Sequence, residues 1–139
     1  MLVIPLEQLK KLLIENSLLS ESDFENALKE SQRTEKNLVD ILISRGFLTK
    51  EYYADLLSDY LKIERAKLVG QTIPKEVLTL IPEDISRTKN AVAFEKLDNT
   101  LKVAMLDPVN LETLSFLEKY TGYFIKPYLT LEEDLQSAF

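Results

Sequence analysis

The first half of the chain contains the same 24-residue segment twice. Residues 8–31 and 37–60 align at an offset of 29, and five aligned positions carry the identical aliphatic residue in both copies. Other apolar positions exchange one apolar residue for another, whereas the charged positions do not match. One copy cannot cover its own apolar face, so the two copies are expected to pack against each other.

Each copy is predicted to be two short helices joined by a tight corner. In the first copy, leucines recur at helical spacing and residues 16–17 end the helix. Ser20 then caps the next helix, and Asp23 three residues later gives a short variant of the capping box. In the second copy, Gly46 stands where a left-handed residue closes a helix, and Thr49 is the next cap. The pattern predicts a four-helix subdomain built from two hairpins.

From Ile63 the pattern changes to a mixture of helices and strands. A short helix is expected to begin at Ile73–Pro74, because proline is tolerated in the first turn. Residues 90–95 and 101–106 then read as two strands. The short polar segment Leu97–Thr100 joins them, which predicts an antiparallel hairpin.

The last third of the chain is predicted to add one strand between two helices. Asn110 caps a helix that Gly122 closes. Residues 123–129 read as a third strand, and Pro127 places it at an edge or a bulge of the sheet. Thr130 is expected to cap a final short helix.

The predicted fold class is therefore α+β, in two parts. Residues 1–62 form the tandem-repeat helical subdomain of four helices, built from two tandem helical hairpins. Residues 63–139 form a small α/β subdomain with a mixed three-stranded sheet and helices. At 139 residues and 16.0 kDa, the chain is long enough for one domain with such parts.

The composition removes several kinds of enzyme. The chain has neither cysteine nor histidine, so thiolate chemistry and histidine-dependent catalysis are excluded. Its three glycines, Gly46, Gly70 and Gly122, are isolated. A glycine-rich phosphate loop therefore cannot be formed within this sequence, and a catalytic site is not expected.

The net charge and the length of the apolar segments indicate the kind of partner and the location of the chain. Seventeen basic and 23 acidic side chains give a net charge of −6, which disfavours non-specific nucleic-acid binding. No apolar stretch approaches the roughly 20 residues that cross a bilayer. The apolar start, Met1–Pro5, is too short for a signal sequence. We expect a cytoplasmic location and no direct membrane insertion.

Several segments resemble one known family. The doubled repeat is similar to that of the MshEN domain, the N-terminal domain of type II secretion and type IV pilus assembly ATPases. Three later segments resemble the same family in the same order: Leu80–Glu83, Val103–Asn110 with its Asp-Pro-x-Asn motif, and Tyr120–Gly122.

The resemblance implies a regulatory or docking role without catalysis. In the family this domain precedes an ATPase motor, which this chain lacks. Some members dock onto an inner-membrane platform protein, which would place the domain in the bacterial cytoplasm, peripheral to the inner membrane through its partners. Other members bind cyclic di-GMP, with one guanine half on each repeat. We therefore expect partners in the platform protein and the chain's own motor domain, and no required cofactor, with cyclic di-GMP as the alternative ligand.

The implied ligand motif is altered in this sequence. The family repeat has Arg at its first position, Gly at its third and tenth, and Gln at its last, and only Gly46 keeps the family residue. We expect the docking role, and the alternative is a cyclic di-GMP receptor domain with a degenerate ligand motif. The positions that would contact cyclic di-GMP are Gln8, Leu9, Lys10, Ser17, Ser31, Asn37, Leu38, Val39, Gly46 and Tyr60.

For each of two further groups of side chains, the sequence leaves two interpretations open. Lys10, Lys11, Arg33 and Arg45 lie near the ends of the repeat helices, and they are either substitute phosphate donors or solvated surface charges. The tyrosines at 52, 53 and 60 are either packing residues or an exposed interaction patch.

Overall fold

The computed structural model describes residues 4–139, and the first three residues of the predicted helical subdomain and of the apolar start lie outside them. The chain forms two compact units, which divide between residues 57 and 58. We call residues 4–57 the helical unit and residues 58–139 the sheet unit. The subdomain boundary expected after residue 62 stays a prediction.

The helical unit contains the predicted helical hairpins. Their apolar faces meet in a core that includes Leu13, Phe24, Ala27 and Leu42, all at most 1% exposed. Leu13 and Leu42 are equivalent positions of the two repeats, so this part of the shared aliphatic frame is buried in both copies. The four helices are α1 (Leu6–Glu15), α2 (Glu21–Thr34), α3 (Leu38–Ser44) and α4 (Lys50–Leu61). The last turn of α4 lies beyond the division after residue 57.

The sheet unit contains the remaining elements, in the predicted order. Together with the four helices above, they confirm the α+β fold class. They are α5 (Lys75–Leu78), α6 (Glu83–Lys89), β1 (Ala91–Leu97), β2 (Thr100–Met105), α7 (Leu111–Thr121), β3 (Phe124–Leu129) and α8 (Glu132–Ser137).

The three strands form a mixed sheet with β2 at its centre. β1 pairs with β2 in antiparallel fashion through the two-residue turn Asp98–Asn99, and Asp98 has the left-handed φ of 53° that such a turn needs. β3 pairs with β2 in parallel. A parallel neighbour requires a crossover connection, and α7 supplies it.

One face of the sheet carries the main core of this unit. Leu101, Val103 and Met105 of β2 point to that face, where Leu117 of α7 packs against them. Asn110 caps α7 by accepting from the Thr113 amide at 3.1 Å, as predicted. The alternation along β2 therefore fixes which side of the sheet the helix covers.

Pro127 lies on the edge strand β3, as its sequence context indicates. Leu129, two residues later, directs its backbone groups away from β2: its amide donates to Glu64 at 2.9 Å and its carbonyl accepts from Ala66 at 2.8 Å. Since backbone groups alternate along a strand, the nitrogen of Pro127 also points outward. The proline therefore removes no hydrogen bond from the sheet.

The predicted cap of the last helix is wrong. Leu131, rather than Thr130, precedes α8, and it makes no side-chain cap. Thr130 is buried, and its amide donates to the Met105 carbonyl at 3.0 Å. Pairing with β2 therefore extends to residue 130, and this tertiary contact delays the start of the helix.

Candidate functional site

Both repeats end their first helix with the same turn. Ser17 and Gly46, at the tenth repeat position, have φ values of 58° and 80°. In the first repeat, the Ser17 amide donates to Ile14 at 3.0 Å and the Leu18 amide to Leu13 at 3.1 Å. These two bonds define a Schellman motif.

The second repeat forms the same two backbone hydrogen bonds at equivalent residues. The Gly46 amide donates to Ile43 at 3.1 Å, and the Phe47 amide donates to Leu42 at 3.0 Å. The tenth position therefore needs a left-handed backbone in both copies, which glycine adopts at no cost and serine does not.

Both repeats also begin their second helix with the same cap. The Ser20 hydroxyl accepts from the Asp23 amide at 3.1 Å, and the Asp23 carboxylate accepts from the Ser20 amide at 3.5 Å. In the second copy the Thr49 hydroxyl accepts from the Tyr52 amide at 3.0 Å. The predicted corners are thus confirmed in both hairpins.

The first repeat position differs between the copies. Asn37 is the N-cap of α3, where its side-chain oxygen accepts from the amides of Val39 at 2.8 Å and Asp40 at 3.3 Å. Gln8 instead lies inside the first turn of α1 and is exposed, because that helix already begins at Leu6. The Asn37 oxygen is therefore committed to the backbone, whereas Gln8 faces solvent.

Lys10, at the third position of the first repeat, connects α1 to α2. Its ammonium donates to Glu25 at 3.0 Å and to Glu21 at 3.3 Å, and it lies 6.0 Å from the ring centroid of Phe24. The hydrogen bonds to Glu25 and Glu21 raise the pKa of Lys10 above its ordinary value. Val39, the equivalent residue of the second repeat, is half-buried.

The remaining predicted site residues divide by environment. Leu9 is a core residue at 2% exposure, and Leu38 is half-buried. The Ser31 hydroxyl donates to the Lys36 carbonyl at 2.6 Å. Tyr60 is 39% exposed and belongs to the sheet unit.

An open pocket of about 650 Å³ brings Gln8 and Lys10 together on the surface of α1. Lys11 adds a second cation to its lining, and Ile14 adds an apolar side chain. Three carboxylates also line it, from Glu7, Glu15 and Glu21. Acidic groups therefore outnumber basic ones in the lining, which disfavours a phosphate ligand.

The sequence analysis did not predict the acidic partners of the basic side chains in the two repeats. Besides Glu21 and Glu25, which pair with Lys10, Glu30 pairs with Arg45, so two of the four candidate phosphate donors have a carboxylate beside them. The spacing of Glu21 and Glu25 was an available signal, since residues four apart share one face of a helix.

Tyr53 belongs to the packing of the helical unit. Its hydroxyl accepts from the Ile4 amide at 3.5 Å, and burial raises the pKa of the phenol. Tyr52 is likewise half-buried. Among residues 4–139, neither a cluster of His, Cys, Asp and Glu suited to a metal nor a helix long and apolar enough to cross a membrane is found.

Tandem helical hairpins with matching turns, followed by a small mixed sheet, define an architectural class, the α+β fold of secretion-ATPase N-terminal domains. The chain has the fold of the N-terminal domain of XpsE, with a TM-score of 0.60 and 15% identity, covering 99% of this chain and 96% of that one. The model of the MshEN domain family matches residues 61–139, more than half of the sequence. The chain belongs to the MshEN domain family.

Other relatives extend the similarity into the repeats. The structure of MshE with cdg, cyclic di-GMP, shares 28% identity at a TM-score of 0.72, over 93% of this chain and 94% of that chain. Type IV pilus assembly ATPase PilB of Thermus thermophilus is 26% identical over 85% of this chain, and PilB of Myxococcus xanthus is 24% identical over 94%. The chain spans 14% and 23% of the length of these two curated relatives.

Proposed function

We propose that this chain is a non-catalytic regulatory and docking domain of a type IV pilus assembly or type II secretion ATPase. It acts through contacts with an inner-membrane platform protein and with its own motor domain, in the bacterial cytoplasm and peripheral to the inner membrane. It requires no cofactor. The observation that carries this proposal is the match of residues 61–139 to the MshEN domain family, and the pairing of Lys10 with Glu21 and Glu25 disfavours a phosphate ligand at that position.

The pairing of Lys10 bears on the ligand motif directly. A phosphate bound through the third N–H of Lys10 would lie beside two carboxylates, which repel it. Asn37 holds its side-chain oxygen in the cap of α3, so only its Nδ2 group could serve a ligand. The polar groups at these positions stabilise the helical unit, which supports a role in presenting a folded surface to protein partners.

The docking role is tested with two purified partners, the cytoplasmic region of the platform protein and the motor domain of the parent ATPase. Each is titrated against this chain in biolayer interferometry. Saturable binding to either partner is expected. Failure to bind both, by a chain that melts cooperatively, would contradict the docking role.

A cyclic di-GMP receptor is the second candidate, and two observations favour it. The 28%-identical MshE structure contains that ligand. Ser17 and Gly46 also keep one backbone geometry in the two repeats. Both repeats therefore present the same turn, which suits a ligand with two equivalent halves.

Isothermal titration with cyclic di-GMP at low and moderate salt separates the candidates. The docking role predicts no saturable heat and no rise in melting temperature, since only a ligand of the native state raises stability. Saturable binding at micromolar or tighter affinity would favour the receptor. In that case Lys10→Gln should change the affinity, whereas Lys29→Gln, on the exposed side of α2, serves as the matched control.

A further inference from the structure

We draw no further inference here: the strongest candidate, the exposed aromatic patch on α7 where the rings of Phe116 and Tyr120 stack beside the Lys89 ammonium, is a helix face, and nothing in the described residues 4–139 shows what covers it.

Discussion

The two repeats of the helical unit are alike where their helices end and unlike where the first helix begins. Both close that helix with a Schellman turn, at Ser17 and at Gly46. At the first repeat position, Asn37 caps its helix, whereas Gln8 lies within a helix that has already begun. Equivalent positions in sequence therefore hold different local structures.

This difference separates the structural features that the two copies share from those that differ between them. The buried leucines and the corner between helices are needed for each hairpin to fold and pack. The first and third positions contribute to folding differently in the two copies, and here they hold an amide in solvent, a helix cap, a lysine bound to carboxylates and a half-buried valine. The two copies therefore share their apolar frame and differ at these positions.

Removing a buried leucine from either repeat should cause the largest effect. Leu13 and Leu42 are equivalent and both are 0% exposed. Leu13→Ala and Leu42→Ala should each lower the free energy of unfolding by about 2–5 kcal/mol. Urea denaturation measures both, with Leu6→Ala, at 42% exposure, as a control that should change little. A loss of stability in only one of these two variants would contradict the equivalence of the repeats.

Exchanging glycine at the tenth position should have opposite effects in the two repeats. Ser17→Gly relieves a left-handed serine and should raise the free energy of unfolding by about 1 kcal/mol, whereas Gly46→Ala should lower it by about 1 kcal/mol. A Cβ at Gly46 would have no atom within 4 Å, so backbone strain alone accounts for the loss. Thermal melts measure both, and Gly46→Asn should lose less because asparagine tolerates this conformation. A loss of stability in Ser17→Gly would contradict the shared turn.

The first repeat position should show the asymmetry most clearly. Asn37→Ala removes the cap of α3 and should cost about 1 kcal/mol of stability. Gln8→Ala should stay within about 0.5 kcal/mol, because that side chain is exposed. Asn37→Ser keeps a capping oxygen and should recover most of the loss in chemical denaturation. Equal losses at both positions would show that the copies do not differ here.

The smallest expected effect is a change in the stability profile at alkaline pH. The folded-state pKa of Lys10 is raised above 10.5, so its ion pairs contribute stability below that pH and lose it as the pH rises through the higher folded value. Lys10→Gln should flatten the decline in melting temperature above about pH 10.5, relative to the unaltered chain. The pKa of Lys102, in the sheet unit, is raised as well. The melting temperature of Lys102→Gln is therefore measured over the same pH range as the matched comparison. An unchanged profile in Lys10→Gln would contradict the role of its ion pairs.

The sequence was informative wherever a residue acts on its own neighbours. Ser20, Gly46 and Thr49 mark helix ends through bonds within a few residues, and all three act as predicted. The edge position expected of Pro127 was also correct, because the missing amide excludes it from a central strand. The α+β architecture follows from such local signals combined with the repeat.

The sequence failed where distant contacts decide. Thr130 looks like a helix cap, but pairing with β2 holds it in the sheet. Lys10 looks like a free cation, but packing of α1 on α2 brings it to Glu21 and Glu25, 11 and 15 residues away. Asn37 could not be separated from Gln8, because aligning the repeats on their apolar frame carries no information about where each helix begins.

Pro127 also determines how this sheet can be extended. Of the three β3 positions whose backbone groups point outward, Leu129 is already bonded to Glu64 and Ala66, and Pro127 has no amide to donate. A foreign strand that approaches this edge would find a broken template, so strand addition and fibre growth are blocked there. Assembly partners that meet this side of the sheet must therefore recognise side chains and not the backbone.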